Sequence, residues 1–193
     1  MNSQTGDGPP RAALIAALLI AVGAVVTVLV VAAVWQHTPA QEPVTITEVP
    51  APQADSADCR TLIDALPDQL GDYRRATVRE PAPAGAAAWQ APEPGGEALI
   101  LRCGLDRPAE FVTGAPVQQV DAVQWFRVGE AGAGKDTVGD PAGGDRSTWF
   151  VVDRPVYVAL TLPPGSGPAP IQAISSTVAR ALQARPVDPG PVG

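Results

Sequence analysis

The chain has 193 residues, 46% of them hydrophobic, and carries a formal net charge of −7. An apolar fraction this high excludes a wholly disordered protein, and the acidic balance argues against a dedicated nucleic-acid-binding protein. The 19 glycines and 22 prolines are numerous but stay below the level of a low-complexity chain. We therefore expect a folded protein without a nucleic-acid partner.

Residues 12–35 form an apolar stretch without a charged side chain. All of them except Gly23 and Thr27 are hydrophobic, and Trp35 stands at the end, where an indole favours the headgroup level of a membrane. A helix of this length reaches about 36 Å, enough to cross a hydrocarbon core about 30 Å thick. The stretch predicts a transmembrane helix over 12–35 whose partner is the lipid bilayer.

The charges around this helix indicate its direction. Residues 1–11 carry the free amine and Arg11, whereas no Lys or Arg follows the helix before Arg60. The positive-inside rule places 1–11 in the cytoplasm and the rest outside it, which predicts a signal anchor of the plasma membrane. The alternative is a secreted protein cut at Ala33 or Ala40. The apolar region of a cleaved signal peptide runs about 7–15 residues, so the greater length here favours the anchor.

The rest of the chain divides into a linker, a domain and a tail. Residues 36–57 are rich in proline and acidic residues, which predicts a solvated extracytoplasmic linker, with a short strand at 44–49 as the alternative. Residues 58–185 suit one domain of ordinary size. Residues 186–193 contain three prolines and two glycines, so a disordered tail is predicted.

Hydrophobic periodicity within the domain predicts a helix, several strands and a second helix. Asp58 suits the cap of the first helix, Leu62 lies on its apolar stripe, and Pro170 opens the last helix. Between them the sequence predicts strands over 73–79, 98–105, 120–128, 147–152 and 156–162, and loops over 81–96 and 129–145. The fold class is therefore α+β: an N-terminal transmembrane helix, then a small domain with a mainly antiparallel sheet flanked by two helices.

Cys59 and Cys103 are the only cysteines, and both follow the apolar stretch. In an oxidising compartment such a pair is expected to form one intramolecular disulfide, here between the first helix and the strand at 98–105. Two free buried thiols and a bridge between two chains are the alternatives. A redox-active pair is disfavoured, because the two residues lack the Cys-x-x-Cys spacing.

Motifs that carry chemistry are few. Residues 129–135 match the first seven positions of a phosphate-binding P-loop, but Asp136 replaces the hydroxyl that holds magnesium. Asp136, Asp140 and Asp145 lack the spacing of a calcium-binding loop. The sole histidine, His37, sits at the membrane edge, which argues against a Ser–His–acid or zinc site in the domain. We predict no catalytic, metal-binding or cofactor-binding residue, and no cofactor.

Aromatic and basic residues supply the remaining candidates for binding. Trp89, Trp125 and Trp149 are expected to anchor the core, with a ligand-stacking cleft as the alternative that makes them candidate binding aromatics. One basic cluster is interpreted as a solvated face, or as a contact for lipid headgroups or an anionic cell-wall polymer: Arg74, Arg75 and Arg79.

Several short sequence motifs follow one another in a characteristic order along the domain. The most distinctive is Leu-Arg-Cys-Gly at 101–104. The others are Cys59 with Leu66-Pro67, Ala88-Trp89, Pro108, Val123-x-Trp125, and Pro155-x-Tyr157-Val158 with Pro163. Over 59–182 the chain resembles an actinobacterial family of small membrane-anchored or secreted proteins that carry a domain of unknown function. The resemblance implies one N-terminal membrane segment and an exported domain, and it implies no activity.

These observations favour a non-enzymatic module of the cell envelope. In this interpretation a single-pass anchor displays a disulfide-tied domain that binds an envelope protein or polymer. The alternative is an envelope hydrolase that uses a carboxylate pair, which scattered Asp and Glu residues always permit. Two carboxyl groups in one cleft favour the hydrolase, whereas an apolar groove or patch favours binding.

Overall fold

The computed structural model describes residues 11–36, 41–93, 95–129 and 146–192, and the chain separates into two units, Met1–Ala40 and Gln41–Gly193. The first unit contains helix α1, Arg11–Gln36. Its stretch Ala13–Val31 has a mean hydropathy of 3.1, and none of it is buried within the structure. The apolar helix predicted over 12–35 is confirmed, and its length and composition suit a membrane span or a signal sequence.

The second unit is built on one eight-stranded sheet in which all neighbouring strands are antiparallel. In chain order the strands are β1 Gln69–Leu70, β2 Tyr73–Arg75, β3 Ala86–Gln90, β4 Leu99–Leu105, β5 Val117–Val120, β6 Val123–Gly129, β7 Ser147–Val151 and β8 Tyr157–Leu162. Across the sheet they follow the order β1-β2-β3-β4-β8-β7-β6-β5. Strand β8 therefore pairs with β4 at the centre of the sheet. It joins the half formed by β1–β4 to the half formed by β5–β7.

Two helices cover the first face of this sheet: α2, Ala57–Ala65, and α3, Ala169–Ala181. Ser56, rather than the predicted Asp58, caps α2 by accepting a hydrogen bond from the Cys59 backbone N–H at 3.2 Å. The main core lies between helices and sheet, and among its fully buried side chains are Leu62, Leu99, Leu101, Val158, Leu160, Ile174 and Val178. The predicted α+β class is confirmed.

The predicted disulfide is present and joins the first helix to the sheet. Cys59 of α2 and Cys103 of β4 are bonded, with their Cα atoms 5.6 Å apart. Both residues are fully buried in the main core. The bond fixes α2 on the first face of the sheet at its central strand.

The second face of the sheet carries a segment that the sequence did not place there. Residues 41–54, called the strap below, run along β3 and β4 on this face. The Val44 backbone N–H donates to the Thr77 carbonyl at 2.8 Å, and the Arg79 N–H donates to the Val44 carbonyl at 2.8 Å. Val44 and Ile46 are buried in a small cluster with Ala88. The solvated linker predicted over 36–57 is therefore wrong from residue 41 onward, because two alternating apolar side chains find a place on the sheet.

Gly104 lets the strap approach the sheet at a β-bulge between Cys103 and Leu105. The Gln53 N–H donates to the Gly104 carbonyl at 3.0 Å. A Cβ atom at Gly104 would lie 2.3 Å from the Ala54 nitrogen, and the residue has a φ of +88°. Glycine is the one residue that allows both the close approach of the strap and the left-handed backbone conformation at this position.

The C-terminal segment is also held against the domain. The Thr113 N–H donates to the Gly190 carbonyl and the Gly190 N–H to the Phe111 carbonyl, both at 2.8 Å. Val112 and Gly190 form a parallel bridge. The disordered tail predicted over 186–193 is therefore wrong at these positions, because its backbone finds partners in the loop before β5.

Local details of the sheet also depart from the sequence prediction. Strand β3 lies inside the loop predicted over 81–96, β5 was not predicted, and β2 is shorter than the strand expected over 73–79. Strand β3 is mostly alanine, a residue with low β-propensity, so its pairing with β4 determines its conformation.

Replacing Cys103 by Ser is expected to lower the free energy of unfolding. The bond closes a loop of 44 residues in sequence separation, and releasing that loop in the unfolded state costs about 4 kcal/mol in the chain-entropy model. Urea denaturation of the wild type and Cys103→Ser measures this loss. The double variant Cys59→Ser/Cys103→Ser, which leaves no free thiol, is the control. Wild-type stability in both variants would contradict the structural role of the bond.

A second stability prediction isolates the contact between strap and bulge. Gly104 and Gly114 have the same φ of +88°, but a Cβ at Gly114 meets nothing within 4 Å. Gly114→Ala is therefore expected to cost about 1–3 kcal/mol from backbone strain alone, and Gly104→Ala about 1–3 kcal/mol more from overpacking. Urea denaturation compares the two variants. Proteolysis within 41–54 is expected to accelerate only in Gly104→Ala, and equal effects of both substitutions would refute the contact.

Candidate binding surface

The three candidate tryptophans lie in the core. Trp89 and Trp125 are fully buried and Trp149 is 2% exposed. Their indole N–H groups donate to the Pro67 carbonyl at 2.9 Å, the Ser175 Oγ at 2.9 Å and the Ser147 Oγ at 3.0 Å, respectively. None presents a ring face to solvent, so the structure supports core anchoring over a ligand-stacking cleft.

The candidate basic cluster is separated into different environments. Arg74 is exposed, whereas the Arg75 guanidinium lies 4.9 Å from the centre of the Trp89 ring. Burial lowers the pKa of Arg75, and the nearby Asp68 carboxylate partly opposes this. Arg79 donates from Nε to the Thr45 hydroxyl of the strap at 3.2 Å. The three side chains therefore do not form one anion-binding patch.

The P-loop-like and calcium-like motifs fall almost entirely on residues that the structure does not describe. Gly129 ends β6, while 130–135, the three loop aspartates and His37 lie outside the described residues. Among the residues that are described, no group of three or more His, Cys, Asp and Glu side chains is placed to hold a metal ion.

The second face of the sheet offers a more distinctive arrangement. Strand register aligns one row of side chains across six strands: Ala86, Arg102, Ala159, Phe150, Phe126 and Val117. The next row contains Ala88, Ile100, Thr161, Thr148 and Val128. We call the middle of these rows the Arg102 surface, defined by Ile100, Arg102, Thr148, Phe150, Ala159 and Thr161.

Packed segments border the Arg102 surface on two sides. Along β3 and β4 the strap contributes Val44 and Ile46 to a cluster that reaches Ile100. Along β6 and β7, Phe111 packs against Phe126, with ring centres 5.2 Å apart, in a cluster that reaches Phe150. Between these borders most side chains of the surface are half-buried. The surface is therefore a partly open, largely apolar strip about two strand spacings, or ~10 Å, wide.

Arg102 is the only charged side chain of this surface, and its hydrogen-bonding capacity is mostly unused. Nη2 donates one long hydrogen bond, 3.4 Å, to the Thr47 carbonyl of the strap. Nε is buried without a partner. Burial lowers the pKa of the guanidinium. No ion pair connects Arg102 to a carboxylate in the described ranges.

Arg154 is a buried arginine with a structural role in this fold, and its partners provide a comparison for Arg102. Its Nη1 lies 2.7 Å from the Asp153 carboxylate, and its Nη2 donates to the Ala122 carbonyl at 2.8 Å. That pair ties the turn between β7 and β8 to the turn between β5 and β6. Arg102 has a backbone carbonyl partner, Thr47, but no carboxylate partner among the described residues, and this separates it from Arg154. The unpartnered Nε does not separate them, because the Nε of Arg154 is also buried without a partner.

The polar groups around Arg102 are two hydroxyls. Thr148 on β7 and Thr161 on β8 lie side by side, with their Oγ1 atoms 3.1 Å apart. Each hydroxyl has an acceptor capacity beyond this bond. The surface therefore combines an apolar floor, one under-used cation and a hydroxyl pair, an arrangement suited to holding an anionic group attached to an apolar body.

A separate groove brings two carboxylates together. It is about 440 Å³ in volume, lies at the turn between β1 and β2, and is lined in part by Asp72, Tyr73, Arg74, Glu93 and Ser166. Asp72 and Glu93 are both exposed. A carboxyl that serves as general acid is usually sheltered from water, so this pair is a weak match to hydrolase chemistry.

Arg102 was not among the site residues expected from the sequence. The signal was present in the alternation of β4, where Leu101 and Cys103 face the main core and Arg102 must face the other way. That pattern also describes an ordinary solvated arginine. The strap, whose Thr47 carbonyl accepts a hydrogen bond from Arg102, was predicted to be a solvated linker.

Residues 18–187 match the model of one protein family, described as "Protein of unknown function (DUF3515)". The match includes most of α1 and nearly all of the second unit. No curated protein and no solved structure matches the chain.

The two tyrosines are expected to titrate above their ordinary pKa of 10.0. Burial is the main cause for both; Glu93, Asp72 and Glu97 add to it at Tyr73, and at Tyr157 Asp188 raises the pKa while Arg107 lowers it. The unfolded state loses these protons first, so the stabilisation is present below about pH 10 and lost as pH rises through the folded-state values. Phenolate absorbance should show a higher midpoint for folded than for urea-unfolded protein. Coincident midpoints would contradict the burial.

Proposed function

The chain belongs to the DUF3515 family of proteins of unknown function, and from that premise we propose that it is a single-pass membrane protein displaying a binding module outside the cytoplasm. Helix α1 is the anchor, with 1–11 in the cytoplasm. The second unit is the module, and it serves in the cell envelope. The resemblance found in the sequence extends this proposal to an actinobacterial plasma membrane.

The disulfide is the observation that carries this proposal. Cys59 and Cys103 are the only cysteines of the chain, and they are bonded to each other. Structural disulfides persist in oxidising compartments and are rare in the cytosol. Because both cysteines follow the apolar helix, export of everything after α1 accounts for the bond and for the helix together.

Binding is favoured over catalysis by what the second unit brings together. The Arg102 surface combines a partly open apolar floor with a cation that has no counter-ion in the part of the chain that the structure describes. The competing envelope hydrolase would have to use the exposed Asp72 and Glu93 of the groove beside Tyr73. A carboxylate pair in water lacks the desolvation that separates the roles of acid and base.

Topology is tested by protease treatment of intact and lysed spheroplasts from cells that express the full chain. We expect the second unit to be degraded in intact spheroplasts while a cytoplasmic marker protein survives. Thiol labelling without reductant should leave both cysteines unmodified, and labelling after denaturation and reduction should modify both.

Three outcomes separate the parts of this proposal. Protection of the second unit until lysis would overturn its export. Degradation together with a mature mass that lacks α1 would keep the export and replace the anchor by a cleaved signal peptide. Hydrolysis of envelope material that is abolished by Asp72→Asn or Glu93→Gln, but not by Arg102→Gln, would replace binding by catalysis.

A further inference from the structure

We propose that the Arg102 surface binds a fatty-acid-type ligand, whose carboxylate pairs with Arg102 and whose acyl chain lies on the apolar floor. This inference names the ligand class of the proposed binding module and rests on that proposal for the binding role. It does not depend on whether α1 spans a membrane.

The first step is the state of Arg102. The Arg102 guanidinium is half-buried, and its one hydrogen bond among the described residues is the 3.4 Å contact to the Thr47 carbonyl, so it has lost part of its hydration without gaining a charged partner. Such a loss costs free energy unless a counter-ion supplies charge-assisted hydrogen bonds. A carboxylate beside Nη1 and Nη2 meets this need, and no described carboxylate does.

The second step concerns the body of the ligand. The floor around Arg102 consists of Ile100, Phe150 and Ala159, with two threonine hydroxyls beside them. The backbone N–H and C=O groups of a sheet point along the sheet to neighbouring strands and not out of its faces. A peptide lying here would therefore leave most of its own backbone groups without partners. An acyl chain has no such groups, so it fits a sheet face better.

The third step concerns the charge of the ligand. The chain carries a net charge of −7, whereas the surface offers a single arginine. A polyanionic polymer or an anionic lipid surface would be repelled by the whole and held by one contact only. A ligand with one negative charge gains the contact with the least repulsion. An amphipathic monocarboxylate matches both the apolar floor and the single arginine of the surface.

The size of the surface is consistent with this ligand. The surface crosses three adjacent strands, β4, β8 and β7, a distance of about 10 Å at ~4.8 Å per strand. Arg102 lies on β4, at one edge of the surface, and Phe150 lies on β7, at the other. A medium-length acyl chain therefore fits with its carboxylate at the β4 edge and its chain over Ala159 and Phe150.

The experiment uses the full chain reconstituted in lipid vesicles and a fatty acid with a photoreactive diazirine on its acyl chain. After irradiation, peptide mass spectrometry measures labelling of β4, β7 and β8 relative to labelling of α1. Helix α1 serves as an internal reference, because bilayer-dissolved probe labels a membrane span regardless of the sheet. Excess laurate is expected to remove the label from the sheet, whereas dodecanol, which lacks the carboxylate, is not.

Two matched variants test the role of the arginine. Arg102→Gln is expected to reduce sheet labelling about tenfold, the usual loss with one charge-assisted interaction, and Arg102→Lys less. Arg127→Gln is the control, because Arg127 is also half-buried with an unpartnered Nε but lies beside Trp149 on the opposite face. It should leave sheet labelling unchanged. An intact disulfide and an unchanged thermal unfolding midpoint verify that each variant folds.

The possible results are distinct. Unlabelled sheet strands in the wild type, equal labelling in Arg102→Gln, or equal competition by dodecanol would each overturn the inference. If Arg102→Gln fails to fold, the comparison of laurate with dodecanol on the wild type decides. Labelled sheet strands with an unlabelled α1 would overturn the membrane anchor and leave this inference standing. A labelled α1 with unlabelled sheet strands would support the anchor and overturn this inference.

Discussion

Four consecutive residues of the central strand β4 hold the layers of the second unit together. Leu101 and Cys103 face the main core, and Cys103 is bonded to Cys59 of α2. Arg102 faces the opposite way, beside the strap, and Gly104 receives the strap at the bulge. Each residue of the Leu-Arg-Cys-Gly element thus has its own role. The leucine packs in the core, the arginine lies on the second face, the cysteine forms the disulfide, and the glycine lets the strap approach closely. Because strap and α2 are joined by only a short turn, the disulfide and the bulge constrain one continuous segment from both sides of the sheet.

The main elements could be predicted from local patterns because those patterns have local causes. The strands β7 and β8 alternate apolar side chains, and α3 has Pro170 in its first turn and shows helical spacing. The two cysteines are the only ones in the chain, so each has one possible partner within it. The strap could not be predicted in the same way. Its prolines and acidic residues are typical of a solvated linker, and Val44 and Ile46 acquire their role only when Ala88 and Ile100 lie beneath them. The C-terminal segment at Gly190 likewise depends on partners about eighty residues earlier in the chain.

The candidate site was hidden for a related reason. Local sequence predicted which face of β4 Arg102 occupies, but burial depends on what else covers that face. The strap comes from a segment interpreted as linker, and Phe111 comes from a segment for which no element was predicted. The tryptophans are conspicuous in sequence, and in the structure they lie in the core, the first of the two roles expected for them. Arg102 has no counter-ion among the described residues and lies on a partly open sheet face, and only the assembled sheet reveals this combination.

The position of the strap changes where the domain begins. A soluble fragment started at residue 58, the boundary that composition suggests, would keep both cysteines and all eight strands but would leave Ala88 and Ile100 uncovered on one side of the sheet. It would also remove the carbonyl of Thr47, which accepts a hydrogen bond from Arg102. Such a fragment presents an unnatural apolar face and invites aggregation or spurious lipid binding. Any excised version intended for crystallisation or ligand screening should therefore start no later than Gln41.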